Sequence, residues 1–205
     1  MRQSKREHWE KVWATHHPEG VSWYAPHLAE SLRLIREVAA PHDSVIDVGG
    51  GASTLVDDLL GAGFLHLTVL DISETALSLA RARLGERARP VMWLHADITT
   101  ATLPEAAYDV WHDRAVFHFL TEPAQRSAYV ERVRTSVRPG GHVIVATFGP
   151  EGPTKCSGLD VVRYDAASLH DEFGGKFRLI ESETELHETP FGATQQFLYC
   201  LCRIE

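Results

Sequence analysis

From residue 44 onward, apolar positions fall into short runs that take turns with helical stripes. "SVIDV" (44–48) is a β-branched run of strand length, and "STLVDDLLG" (53–61) follows with helical spacing and ends on a glycine. "LTVLD" (67–71) reads as a second strand. "SETALSLARARLG" (73–85) reads as a helix: Ser73 caps it, Glu74 suits its positive end, and Arg81 and Arg83 suit its negative end. "PVMWLHAD" (90–97) and "YDVWHD" (108–113) supply a third and a fourth strand. Residues 123–137 form a helix that stops before "RPGG" (138–141), and "HVIVATF" (142–148) is a fifth strand. This alternation predicts an α/β fold whose parallel sheet is covered by helices on both faces.

Both ends of the chain depart from that rhythm. The first forty residues hold Trp9, Trp13, Trp23 and Tyr24; Trp9 and Trp13 are four apart and share one face of a helix. A second helix runs from about Pro26 to Val38, with Leu28, Leu32, Ile35 and Val38 apolar. At the other end, "KFRLIESETEL" (176–186) and "ATQQFLYCLCRI" (193–204) are long strand candidates separated by six residues. That gap is too short for a helical crossover, so they form an antiparallel hairpin at the edge of the sheet.

Composition narrows the class. At 205 residues the chain suits a single domain (1–205), whose first forty residues stand apart as an N-terminal helical segment. A net charge of −8 argues against non-specific nucleic-acid binding. No apolar run is long enough to cross a bilayer, and "MRQSKREHWEKVW" lacks the apolar centre of a secretory signal. Cys156, Cys200 and Cys202 make no disulfide framework, and a reducing cytoplasm is the simplest setting. Cys200 and Cys202 read as packing residues of the last strand, and His16-His17 as a surface pair; no metal site is expected.

The chemistry concentrates at "VIDVGGGAS". Gly49, Gly50 and Gly51 let a ligand lie against bare backbone between a strand and a helix. Asp71, twenty residues on, ends the second strand, where a carboxylate accepts from both ribose hydroxyls. A pyrophosphate fingerprint would place a third glycine where Thr54 stands, and Asp47 would repel a doubly negative ligand. A phosphate-free, cationic nucleoside therefore fits better than NAD, and S-adenosylmethionine is such a ligand. Asp97 ends the third strand and suits an adenine amino group between Ile72 and Ile98; alone, it reads equally as a turn cap.

Residues 44–148 resemble the class I S-adenosylmethionine-dependent methyltransferases: "VIDVGGGAS" their first motif, "LDIS" their ribose loop, "HADI" their adenine loop and "PGGHVIVATF" their fifth-strand segment. The resemblance implies a Rossmann-like methyltransferase fold, a mostly parallel seven-stranded sheet ordered 3-2-1-4-5-7-6, and S-adenosylhomocysteine as product. Ser53 departs from it, since many members carry a third glycine there.

The acceptor end is expected after the fourth strand, in "WHDRAVFHFL" (111–120). His112, Asp113, Arg114 and His118 are its candidate catalytic residues, with His112 also beside the cofactor. Arg114 is suited to holding an anionic nucleophile. Against these roles stand an Asp113–Arg114 ion pair and a core position for either histidine. "YDVWHDRAVFHFL" resembles the corresponding segment of thiopurine S-methyltransferases and related thiol and halide methyltransferases, and "HWEKVWATHHPEGVSWY" resembles their N-terminal tryptophan segment. That likeness makes residues 1–40 an N-terminal helical cap over the cofactor and substrate pocket, with Trp13 near the cofactor and Trp23 or Tyr24 on the substrate wall; otherwise these rings only anchor a helix, as Trp9 does. Cys156, in the loop "GPEGPTKCSGL" (149–159), is a further acceptor-side candidate, a soft ligand for a metalloid. The reading is methyl transfer to a small soft nucleophile such as a thiol, which is partly ionised at neutral pH. A protein-lysine methyltransferase acting on a basic partner is the alternative, and a non-catalytic cofactor-binding module is a third.

Overall fold

A computed structural model describes residues 4–205; Met1–Gln3, the start of the charged N-terminal stretch, lie outside the described residues. Seven strands form one sheet: β1 (Ser44–Val48), β2 (His66–Asp71), β3 (Met92–His95), β4 (Tyr108–Arg114), β5 (Val137–Phe148), β6 (Phe177–Glu188) and β7 (Thr194–Ile204). Their spatial order is 3-2-1-4-5-7-6, as the resemblance implies. Strands β1 to β5 run parallel, and β7 is antiparallel to both β5 and β6. The terminal hairpin therefore closes one side of the sheet, with β7 inside and β6 outermost.

Six α-helices accompany it among the described residues: α1 (Lys5–Thr15), α2 (Ala29–Val38), α3 (Leu55–Gly61), α4 (Glu74–Leu84), α5 (Pro123–Ser136) and α6 (Ala166–Phe173). Alternation along the strands sorts the core into two halves. On one face Val45, Val69 and Val110 meet Leu34 and Ile35 of α2, Leu55 and Leu59 of α3, and Leu77 of α4. On the other, Ile46, Leu70, Trp111 and Val143 meet Tyr129 and Val133 of α5 and Phe173 of α6. Burial of each such side chain contributes about 1.5–3 kcal/mol.

Several boundaries differ from the sequence expectation. The second helix starts at Ala29 rather than Pro26, the next at Leu55 rather than Ser53, and the third strand keeps only Met92–His95. The segment 138–141 does not separate a helix from a strand: α5 ends at Ser136 and β5 begins at Val137. Val137 pairs with Tyr108, and the ladder resumes at His142 opposite Val110, so Pro139, Gly140 and Gly141 make an irregularity within a longer strand. Helix α6 was not anticipated; Asp165 and Ser168 cap it reciprocally, and Leu169 and Phe173 bury its apolar side.

Candidate active site

A cleft of about 1250 Å³, counting its open mouth, lies beyond the carboxyl ends of β1, β2 and β4. Its floor is the loop after β1. Gly49 holds a φ of +72°, and a Cβ there would run into Val116. A Cβ on Gly50 would meet Asp47 and Val69; one on Gly51 would meet Asp71 and Ala76. Gly49 and Gly50 line the cleft, while Gly51 packs behind it against Asp71.

Three carboxylates reach this floor. Asp47 accepts from His112 Nδ1 at 2.7 Å, and its Oδ2 is buried with no hydrogen-bond partner. Asp71 accepts from the Ser73 amide at 2.8 Å; burial pushes its carboxyl up to about 7, against the pull of the Ser73 and Gly51 amides. Asp97 accepts from the amide and hydroxyl of Thr99 at 2.9 and 2.7 Å, so it caps a turn and lines the cleft at once. Ile72 and Ile98 stand on the wall beside them. An unpartnered acid, a backbone cradle closed to any side chain, and two apolar residues near a ribose-type aspartate fit a cationic nucleoside.

The N-terminal segment roofs the cleft. Trp9, Trp13, Trp23 and Tyr24 all line it. Trp23 stands edge-on to Trp9 and Trp13 at 5.9 and 6.0 Å, and Trp9 meets Phe119 at 5.1 Å. Trp9 is thus both an anchor and part of the wall. Side chains that the sequence did not single out fasten this roof. Glu10 accepts from Ser73 Oγ (3.1 Å) and from the Glu74 and Thr75 amides (2.7 and 3.3 Å), capping α4 beside Asp71. Lys5 donates to the Phe119 carbonyl and to Gln125 at 2.8 and 3.2 Å. Further along, the carbonyls of Ser22, Trp23 and Ala25 accept from His187 (2.9 Å), Arg114 (3.0 Å) and Thr54 (2.9 Å).

Alternation along β4 divides the residues expected to act together. His112 and Arg114 point to the cleft side; Asp113, between them, points to α5. The alternative reading, an Asp113–Arg114 ion pair, therefore fails: the two side chains lie on opposite faces of the strand. Asp113 instead accepts from the Val116 and Phe117 amides and the Tyr129 hydroxyl, and burial pushes it up to about 7. Arg114, 5% exposed, donates to the Tyr199 hydroxyl and the Trp23 carbonyl, lies over the Phe197 ring, and has Glu185 at 3.6 Å. His112 bridges Asp47 and Ser31. His118 sits behind the cleft wall between Phe119 and Phe148, and accepts from the Phe148 amide at 3.2 Å. Burial, helped by Arg114, drives it down to about 3, so it is a neutral core histidine. Cys156 lines the cleft, with its thiol pushed up to about 12 by burial. Among the described residues, the one His/Cys/Asp/Glu cluster with metal-like spacing is Glu30, Glu181 and Glu183, outside the cleft and already bridged by Arg33.

Residues 45–141 match the methyltransferase-domain family. That match runs from β1 into the start of β5, across the strands whose ends make the cleft floor. An uncharacterized methyltransferase of Mycobacterium tuberculosis is 37% identical over 108 residues, 51% of this chain and 50% of its own length. An eEF1A lysine and N-terminal methyltransferase of Danio rerio is 25% identical over 171 residues, 82% of this chain and 24% of its own. The chain thus spans about half the length of the mycobacterial relatives and a smaller share of the animal ones. Among solved structures, one from work on converting a disulfide bond into a thioacetal group during echinomycin biosynthesis superposes with a TM-score of 0.79 (20% identity, 98% of this chain, 92% of that one). A methyltransferase from Anabaena variabilis superposes at 0.76 (15% identity, 100% and 96%). These likenesses establish the methyltransferase fold, and the chemistry of the cleft fits S-adenosylmethionine as the cofactor. No helix among the described residues is long and apolar enough to cross a membrane.

Proposed function

We propose that this chain methylates a small soft nucleophile, a thiol in the first instance, in the space between Trp23, Tyr24, Arg114 and Cys156. S-adenosylmethionine supplies the methyl group as a sulfonium and leaves as S-adenosylhomocysteine. Asp71 takes the ribose hydroxyls, Asp47 faces the cationic end, and Asp97 with Ile72 and Ile98 holds the base. Trp13 and Trp23 exclude water from the reacting line and align the acceptor.

One observation carries the acceptor class: the acceptor half holds no uncommitted base. His112 spends one ring nitrogen on Asp47 and the other on Ser31, Asp113 and His118 lie off the cleft wall, and Cys156 stays protonated. A thiol needs little help to ionise, whereas an amine near pKa 10.4 needs both deprotonation and acidic company. The Arg114 guanidinium favours an anion at this end. A second reading, lysine methylation on a basic protein, is favoured by the animal relatives at 25–27% identity. Methyl transfer from labelled cofactor to sulfide, short thiols and aromatic thiols, run beside a basic protein fraction, decides between them. Transfer to a thiol is the expected result; labelling of the protein fraction alone refutes the small-acceptor reading.

A further inference from the structure

A serine on the buried side of α2 is out of place. Its neighbours Leu28, Leu34 and Ile35 are core residues, yet Ser31 is fully buried among them. Its hydroxyl has two partners, His112 Nε2 at 2.9 Å and Tyr199 Oη at 3.4 Å. Tyr199, buried in β7, in turn accepts from Arg114 Nε at 3.0 Å, and His112 Nδ1 lies 2.7 Å from Asp47 Oδ1. Four consecutive contacts thus join the arginine under the acceptor roof to the aspartate at the cofactor floor.

The ends of this chain fix its direction. A guanidinium only donates, and a carboxylate only accepts. Tyr199 must therefore accept from Arg114 and donate to Ser31. Ser31 then donates to His112 Nε2, which leaves the ring hydrogen on Nδ1, aimed at Asp47. For a neutral imidazole, no other assignment satisfies every member. Reversing any link leaves a buried donor facing a donor or a lone pair facing a carboxylate, and chains of aligned bonds reinforce one another.

We propose that Ser31 and Tyr199 are positioning residues, relaying a single direction of hydrogen-bond donation from Arg114 through His112 so that Asp47 is held against the cofactor. The inference rests on the reading that Asp47 faces the cationic end of S-adenosylmethionine. Arg114 also holds the Trp23 carbonyl, so the relay ties the seating of the roof to the orientation of the carboxylate beneath it. Losing the Ser31 hydroxyl leaves the buried Nε2 lone pair without a donor, so the imidazole loses its second anchor and the Asp47 carboxylate bonded to it loses its fixed orientation.

The test uses the full chain with Ser31→Ala, Tyr199→Phe and Ser31→Thr. Titration calorimetry with S-adenosylmethionine should show roughly 2- to 10-fold weaker binding for the first two, with Ser31→Thr restoring most of the loss. Nitrogen-15 spectra of the His112 ring should report Nδ1–H in the wild type and an altered signal in Tyr199→Phe, although Tyr199 reaches His112 only through Ser31 in the hydrogen-bond chain. Thermal melts run alongside: a variant that melts lower but binds the cofactor as tightly as wild type, with unchanged His112 signals, overturns the relay. Absence of binding by the wild type itself overturns the cofactor reading, and the relay with it. Normal wild-type binding with unaffected variants overturns the relay alone.

Discussion

Cofactor affinity should depend on pH through Asp71. The carboxyl is 7% exposed, and burial pushes it up to about 7, so it is half protonated near neutrality before the cofactor binds. Only the ionised form accepts from both ribose hydroxyls. At pH 6 about one tenth of the molecules carry that form and at pH 8 about nine tenths, so the apparent Kd should be roughly 9-fold larger at the lower pH. The clean probe is 5′-methylthioadenosine, which keeps the ribose and base but lacks the α-amino group that itself titrates near 8. Calorimetric titrations of wild type and Asp71→Asn across this range make the comparison. The variant should bind more weakly and without the slope. A flat wild-type profile, or a variant that keeps the slope, refutes the ribose assignment.

Tyr129→Phe should leave the Trp111 indole N–H and the Asp113 carboxyl short of a buried partner, at a cost of about 2–5 kcal/mol. Thermal melts should fall by roughly 5–15 °C, and an unchanged Tm would refute the buried network. Glu10→Ala removes the cap on α4 and should release the cofactor about 5-fold faster, consistent with a loss of ~1 kcal/mol. Stopped-flow tryptophan fluorescence reads that rate, and an unaltered rate would detach α1 from cofactor retention. Asp113 titrates near 7 in the fold because it is buried, against about 3.9 in the unfolded chain. Its favourable contribution is therefore complete below pH 4 and lost as pH climbs through 7. The Tm of Asp113→Asn minus that of wild type should rise between about pH 4 and 7 and level off above; parallel melting curves would contradict it.

The sheet was legible because each strand is a compact apolar run, and α3 and α4 stop at Gly61 and Gly85. Two local misreadings share a cause. Pro139, Gly140 and Gly141 look like punctuation, but strand pairing on both sides carries β5 across them. His112, Asp113 and Arg114 look like one constellation, but successive strand residues face opposite ways, so Asp113 lands in the α5 core. The gathering of Asp47, Asp71 and Asp97 in one cleft was legible because all three sit at strand ends fixed by topology. The cleft's fastenings were not: Glu10 acts on Ser73, Lys5 on Phe119, and Ser31 on Tyr199, contacts between elements far apart in sequence with no local spacing to reveal them.

Strand β7 lies between β5 and β6 although it follows both in the chain. During synthesis, β6 therefore emerges before the only strand that can join it to the sheet. Until residues 194–204 arrive, β5 keeps an open edge, and β6 is a separate ribbon with nothing to pair with. A ribosome stalled ahead of this segment would present a sticky intermediate, since unpaired edges template association. Nascent chains of this protein should need chaperone cover up to the moment β7 slots in.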